Sequence, residues 1–103
     1  MSVLSAEYVL CPVQAIEAGV AYDPTGDVVQ FAFQPVGTSP SAEDWYDGSW
    51  QSGSLNNLYT AQILVGPVSA GIGLSAGLYA VWLKITDNPE VPVRQVGALT
   101  ITP

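Results

Sequence analysis

Residues 74–102 read LSAGLYAVWLKITDNPEVPVRQVGALTIT, and the pattern inside this stretch decides the fold class. Across residues 78–86 the side chains alternate: Tyr79, Val81, Leu83 and Ile85 fall on one side, Ala80, Trp82, Lys84 and Thr86 on the other. A period of two is that of a β-strand with one buried face. Asp87, Asn88, Pro89, Glu90 and Pro92 then break the ladder, because proline has no amide donor and Asp and Asn bond back to their own backbone in turns. Residues 97–102 return as a further strand, so the stretch predicts the closing hairpin of a β-sandwich.

Working outward, residues 28–35 (VVQFAFQP) alternate as well, with Val29, Phe31 and Phe33 inward and Gln30, Ala32 and Gln34 outward. Each phenylalanine ring removes on the order of 150 Å² from water, which places the centre of the core here. Residues 59–65 (YTAQILV) form another strand, with Ala61, Ile63 and Val65 opposite Gln62 and Leu64, closed by Gly66 and Pro67. Near the start, residues 6–12 (AEYVLCP) give a first strand ended by Pro12, with Tyr8 and Leu10 alternating against Glu7, Val9 and Cys11. Residues 13–18 continue as a second strand, and Gly19 marks a bend before Val20 and Tyr22. DPTGD, residues 23–27, is a turn in which proline pre-sets one position and Gly26 supplies a positive φ, flanked by strands as a hairpin. Residues 36–43 are polar loop, in which Ser41 and Asp44 have the spacing of a helix cap with no apolar periodic run behind it. Asp47 and Gly48 sit between Trp45 and Trp50 as a hairpin turn that would pair the two indoles across strands.

The expected fold is therefore all-β: one antiparallel β-sandwich domain of about seven strands over residues 1–103, with a small closed barrel as the alternative. A chain of 103 residues sustains one modest core. With 49% hydrophobic and 11% charged residues it is far from the composition of a disordered segment.

Two basic residues against nine acidic ones give a net charge of −7. Nucleic-acid affinity comes largely from Lys and Arg neutralising phosphates, so a DNA or RNA partner is excluded, and an anionic membrane surface repels the chain for the same reason. Lys84 and Arg94 are the whole basic complement, near Asp87 and Glu90 in sequence, where weak surface ion pairs across the last turn are expected. Cys11 stands alone and forms no internal disulfide; it reads as a small buried apolar residue. The first ten residues lack a secretory signal, and no apolar run approaches the roughly 20 residues of a membrane span, so synthesis in a cytosol is expected.

The chain contains no histidine, and its Ser, Thr and Tyr side chains have no activating base in view. Asp23 with Asp27, and Glu43 with Asp44 and Asp47, invite glycosidase or calcium readings. Glycosidic cleavage needs two carboxyl groups roughly 5 to 9.5 Å apart across a cleft, and DPTGD does not have the spacing of a calcium-binding helical loop. Solvated turn carboxylates account for them better, and the expectation is a non-enzyme with no cofactor and no metal. The aromatic surplus is more informative. Trp45, Tyr46 and Trp50 lie in a polar stretch, where they can plug the core, hold a sugar ring or anchor a protein interface. Trp82 lies opposite the inward face of its strand, so either a loop covers it or a partner does. Trp82, Trp45, Tyr46 and Trp50 are the candidate interface residues.

The spacing of Gly77, Tyr79 and Val81 also imitates the Gly-x-Tyr-x-Cys run of immunoglobulin domains, in which the tyrosine ties the preceding corner and the third position faces the core. Valine replaces the cysteine, so the imitation is of packing. Together with DVVQFAF (residues 27–33) and DWYDGSW (residues 44–50), the ending GLYAVWLKITDNPEVPVRQVGALTIT resembles small immunoglobulin-like virion structural proteins encoded among the head and tail genes of tailed phages and prophages of actinobacteria. The resemblance implies a particle component assembled in the bacterial cytoplasm and localised to the virion. In such gene clusters the fold serves capsid decoration, head-to-tail joining, tail-tube ornament and fibre attachment. The acidic charge suits the outside of a particle, and a small domain gains stability by binding a large scaffold in many copies. The expected role is therefore capsid decoration or another head-associated task, with the major capsid protein or another virion subunit as partner, bound in symmetric array. The alternatives are a carbohydrate-binding adhesion module and a ring-forming head-completion or tail-terminator subunit, the last requiring a homo-oligomer. The resemblance carries no catalytic residues.

Overall fold

In the computed structural model the described residues are 1–2, 4–17, 20–53, 58–66, 72–86 and 91–103. They form nine strands: β1 (Glu7–Val13), β2 (Ala15–Glu17), β3 (Val20–Tyr22), β4 (Val28–Pro35), β5 (Tyr46–Asp47), β6 (Ser49–Trp50), β7 (Tyr59–Val65), β8 (Gly77–Thr86) and β9 (Val93–Ile101). Seven of them build two antiparallel sheets, ordered β1-β7-β6 and β5-β4-β8-β9, while β2 and β3 pair only with each other. The sheets stay open at their edges, so the molecule is a sandwich and the barrel alternative is set aside. In an immunoglobulin domain the second, fifth and fourth strands share one sheet and the third, sixth and seventh the other. β1, β7 and β6 stand in the first set of places and β4, β8 and β9 in the second, with β5 as an added edge.

The inward faces are those read from the alternation. Val29, Phe31 and Phe33 of β4, Ala61, Ile63 and Val65 of β7, and Val81 and Leu83 of β8 are all buried, joined by Cys11 and Ile101. Phe31 has no exposed surface at all, and burying such a ring is worth about 1.5–3 kcal/mol. The Tyr79 hydroxyl donates to the Ser75 carbonyl oxygen at 2.8 Å, closing the corner that precedes β8. This is the tie that the spacing of Gly77, Tyr79 and Val81 predicts, and Gly77 adopts a φ of 152° in it.

Three local expectations are corrected. β1 runs through Pro12 to Val13, because β1 is an edge strand and a proline's missing amide is tolerated on the free side. DPTGD does not join a hairpin: β3 pairs with β2, and β4 pairs with β8 and β5. Its centre is one turn of 3-10 helix, Pro24–Gly26, capped by the Asp23 carboxylate, and Gly26 is not among the positive-φ glycines, which are Gly37, Gly53 and Gly77. Nor do Asp47 and Gly48 turn a hairpin. Asp47 pairs with Gln30 in the larger sheet and Ser49 with Gln62 in the smaller, so the chain passes from one sheet to the other at Gly48. A Cβ on Gly48 would lie 2.9 Å from both the Gln62 carbonyl oxygen and the Phe31 ring, which is why only glycine fits the crossing. The expected ion pairs of Lys84 and Arg94 with Asp87 and Glu90 involve residues outside those described, as do Ala18 and Gly19.

Candidate binding surfaces

Trp45, Tyr46, Trp50 and Trp82 do not gather at one place, because the crossing at Gly48 sends them apart. Trp45 and Trp82 belong to the outer face of the larger sheet. There Trp82 stands across from Ala32, and Ala32 and Ala80, though they point away from the core, are only 0% and 2% exposed. The turn before β5 is tied to this face. The Asp44 carboxylate accepts from the Ser41 amide at 2.7 Å and the Ser41 hydroxyl at 2.9 Å, and Gln34 of β4 also bonds to it. These bonds, the Ser41 amide first, hold the Asp44 carboxyl below the usual carboxylate range. Next along the same face of β8, the Lys84 ammonium lies 4.6 Å from the centre of the Trp45 ring, a cation–π contact. The Trp82 indole N–H is sealed from solvent and finds no acceptor among the described residues. Tyr46 opens more fully to water, at 45% exposure.

Trp50 goes the other way. Its ring packs against the core from the edge of the smaller sheet, and its indole N–H donates to the Asp27 carbonyl oxygen at 3.1 Å. Its remaining surface lines an open cleft at one end of the sandwich with Tyr59, Asp23, Thr25, Gln51 and Ser52. The Asp23 carboxylate accepts from the Thr25 hydroxyl at 2.6 Å and the Thr25 amide at 2.9 Å, and these two bonds lower its pKa. Trp50 is therefore a core residue with one edge in a cleft, and the paired-indole platform with Trp45 does not form.

Further exposed apolar surface lies on residues that the reading of tryptophans passed over. On β1 the outward residues Tyr8 and Leu10 are 56% and 51% exposed, and Val93 and Val96 of β9, the other sheet's edge strand, are open as well. The signal was present in the sequence: residues 8–11 are apolar on both faces of the strand, more than a single core-facing side requires.

Among the described residues no group of three or more His, Cys, Asp or Glu side chains is placed to hold a metal ion, and no helix is long and apolar enough to cross a membrane. Comparison with protein-family models, with curated proteins and with solved structures returns no match.

Proposed function

We propose that this chain is a non-enzymatic structural subunit of a tailed-phage particle, associated with the head, which docks on the major capsid protein or another virion subunit through the outer face of its larger sheet. The observation that carries this reading is Trp82. An indole N–H shut away from water without an acceptor costs roughly 1–3 kcal/mol, and among the described residues Trp82 has none, on a face turned away from the core. A neighbouring subunit that opens this face and offers a carbonyl oxygen to the indole removes the cost. The charge of −7 suits a basic patch on that neighbour and is unsuited to packaged nucleic acid. Many copies on one scaffold stabilise a small domain by mass action. The test is occupancy of the purified particles by Trp82→Ser and Trp82→Phe chains, with folding followed by circular dichroism. Trp82→Ser is expected to lose occupancy while staying folded; unchanged occupancy removes this face from the reading.

The end cleft supports a second reading, a carbohydrate-binding adhesion module. Tyr59 and the free edge of Trp50 offer aromatic surface, and Asp23, Gln51 and Ser52 offer polar groups, in a volume of about 390 Å³. Cell-wall glycans should then shift the tryptophan fluorescence of the wild type but not of Tyr59→Ala; no shift in the wild type ends this reading.

A further inference from the structure

The two sheets leave their free edges on the same side of the sandwich. β1 ends the smaller sheet, β9 ends the larger, and a groove of about 140 Å³ runs between them, floored by Val9, Cys11, Val81 and Gly97 and walled by Leu10 and Val96. At one end of β9 the outer edge is already used. The Met1 ammonium donates to the Thr100 carbonyl oxygen at 2.7 Å, Thr102 N–H donates to the Met1 carbonyl oxygen at 2.7 Å, and Ser2 pairs in parallel with Thr102. The chain then turns away, with Ser5 N–H on the Ser2 carbonyl oxygen and Leu4 84% exposed, and crosses to β1. From Val93 to Ala98 the outer edge of β9 has no neighbouring strand among the described residues. A Cβ built on Gly97 meets nothing within 4 Å, so the groove has room above its floor.

We infer that this groove takes an extended segment of a neighbouring virion subunit, carrying apolar side chains at alternate positions and basic ones between them. An added strand bonds through its backbone to a free sheet edge and drops every second side chain into the groove. Apolar residues match the floor, and basic residues facing out are drawn by the long-range field of a protein of net charge −7, in which Arg94 is the one cation among the described residues of this free edge. A second copy of the chain brings the same negative charge and is the poorer occupant. The inference rests on the proposed particle role for its partner, but the groove is tested without the particle.

The probe is a ten-residue peptide of alternating valine and lysine. The controls are the same peptide with glutamate for lysine and one with proline at every third position. Cys11, the only thiol, lies in the floor and reports occupancy through its alkylation rate, with amide chemical shifts locating the contact. At ten times its Kd the valine–lysine peptide slows alkylation about elevenfold and shifts amides of β1 and β9. Gly97→Leu, placed in open space, abolishes the protection without lowering the unfolding midpoint. No protection, equal protection by the glutamate peptide, shifts confined to the Trp45 and Trp82 face, or protection that grows with protein concentration alone as a dimer forms each overturns the inference. Particle occupancy separates the two readings. If Gly97→Leu particles are full and Trp82→Ser particles empty, the groove is wrong and the particle role stands; if the wild type is on no particle but the peptide binds, the reverse holds.

Discussion

Replacing Gly48 with alanine tests how tightly the two sheets are joined. The new methyl group would sit 2.9 Å from the Gln62 carbonyl oxygen on one side and 2.9 Å from two atoms of the Phe31 ring on the other. Neither neighbour yields easily. Gln62 lies within a strand paired on both sides, and Phe31 is wholly enclosed. Overfilling a packed site of this kind costs about 1–3 kcal/mol. The loss of chain entropy in the unfolded state gives back about 0.4–1 kcal/mol for Gly→Ala, so the net destabilisation is on the order of 1–2 kcal/mol. For a domain of this size that lowers the midpoint by about 5–15 °C. Gly97→Ala is the matched control, since its methyl group meets nothing and its φ is ordinary; it should be neutral or slightly stabilising. Calorimetric unfolding of the three chains side by side is the assay. A Gly48→Ala midpoint at or above that of the wild type refutes the close crossing.

Tyr79→Phe deletes the bond to Ser75 and should cost about 0.5–1.5 kcal/mol in urea unfolding with an unchanged m-value; an unaltered midpoint would show the corner tie to be idle. Because Asp23 and Asp44 have folded pKa values below their unfolded ones, their contribution is present above the unfolded value and fades as pH falls through the folded one. Carboxyl carbon NMR should find both still ionised at a pH where unfolded-chain Asp is half protonated, and ordinary titration of either would discount its hydrogen bonds. Burial pushes the Cys11 thiol up, so at neutral pH iodoacetamide should react with it much more slowly than after denaturation; equal rates would place the thiol in solvent. Trp50→Phe keeps an aromatic ring but drops the bond to Asp27 and some packing on the core, and a loss of at least about 1 kcal/mol is expected in denaturant melts.

Much of the fold was legible because burial follows alternation. The inward residues of β4, β7 and β8 were named from period two alone, and the closing hairpin and its tyrosine tie follow from spacing. What escaped the sequence was the path of the chain between sheets. Asp47-Gly48 has the chemistry of a turn, and nothing local distinguishes a hairpin from a crossing; the choice is made by Gln62 and Phe31, which are distant in sequence. The same crossing decided the fate of Trp45 and Trp50, so the candidate site was only partly readable. Pro12 was misread as a strand end because the rule against proline in a ladder holds for interior strands, and edge position is a property of the assembled sheet. Likewise Gly26 was assigned a positive φ by analogy with turns, whereas the Asp23 cap draws the segment into a 3-10 turn that any residue can close.

A single residue spans at most about 3.3–3.6 Å of extended chain, and Gly48 is all that separates a rung of one sheet from a rung of the other. Under load, the layers have almost no slack in which to slide past each other before the two-residue pairings at Tyr46–Asp47 and Ser49–Trp50 are stripped. Pulled in shear, the domain should therefore give way first at this stitch, with the long ladders of β4, β8 and β9 holding until it parts.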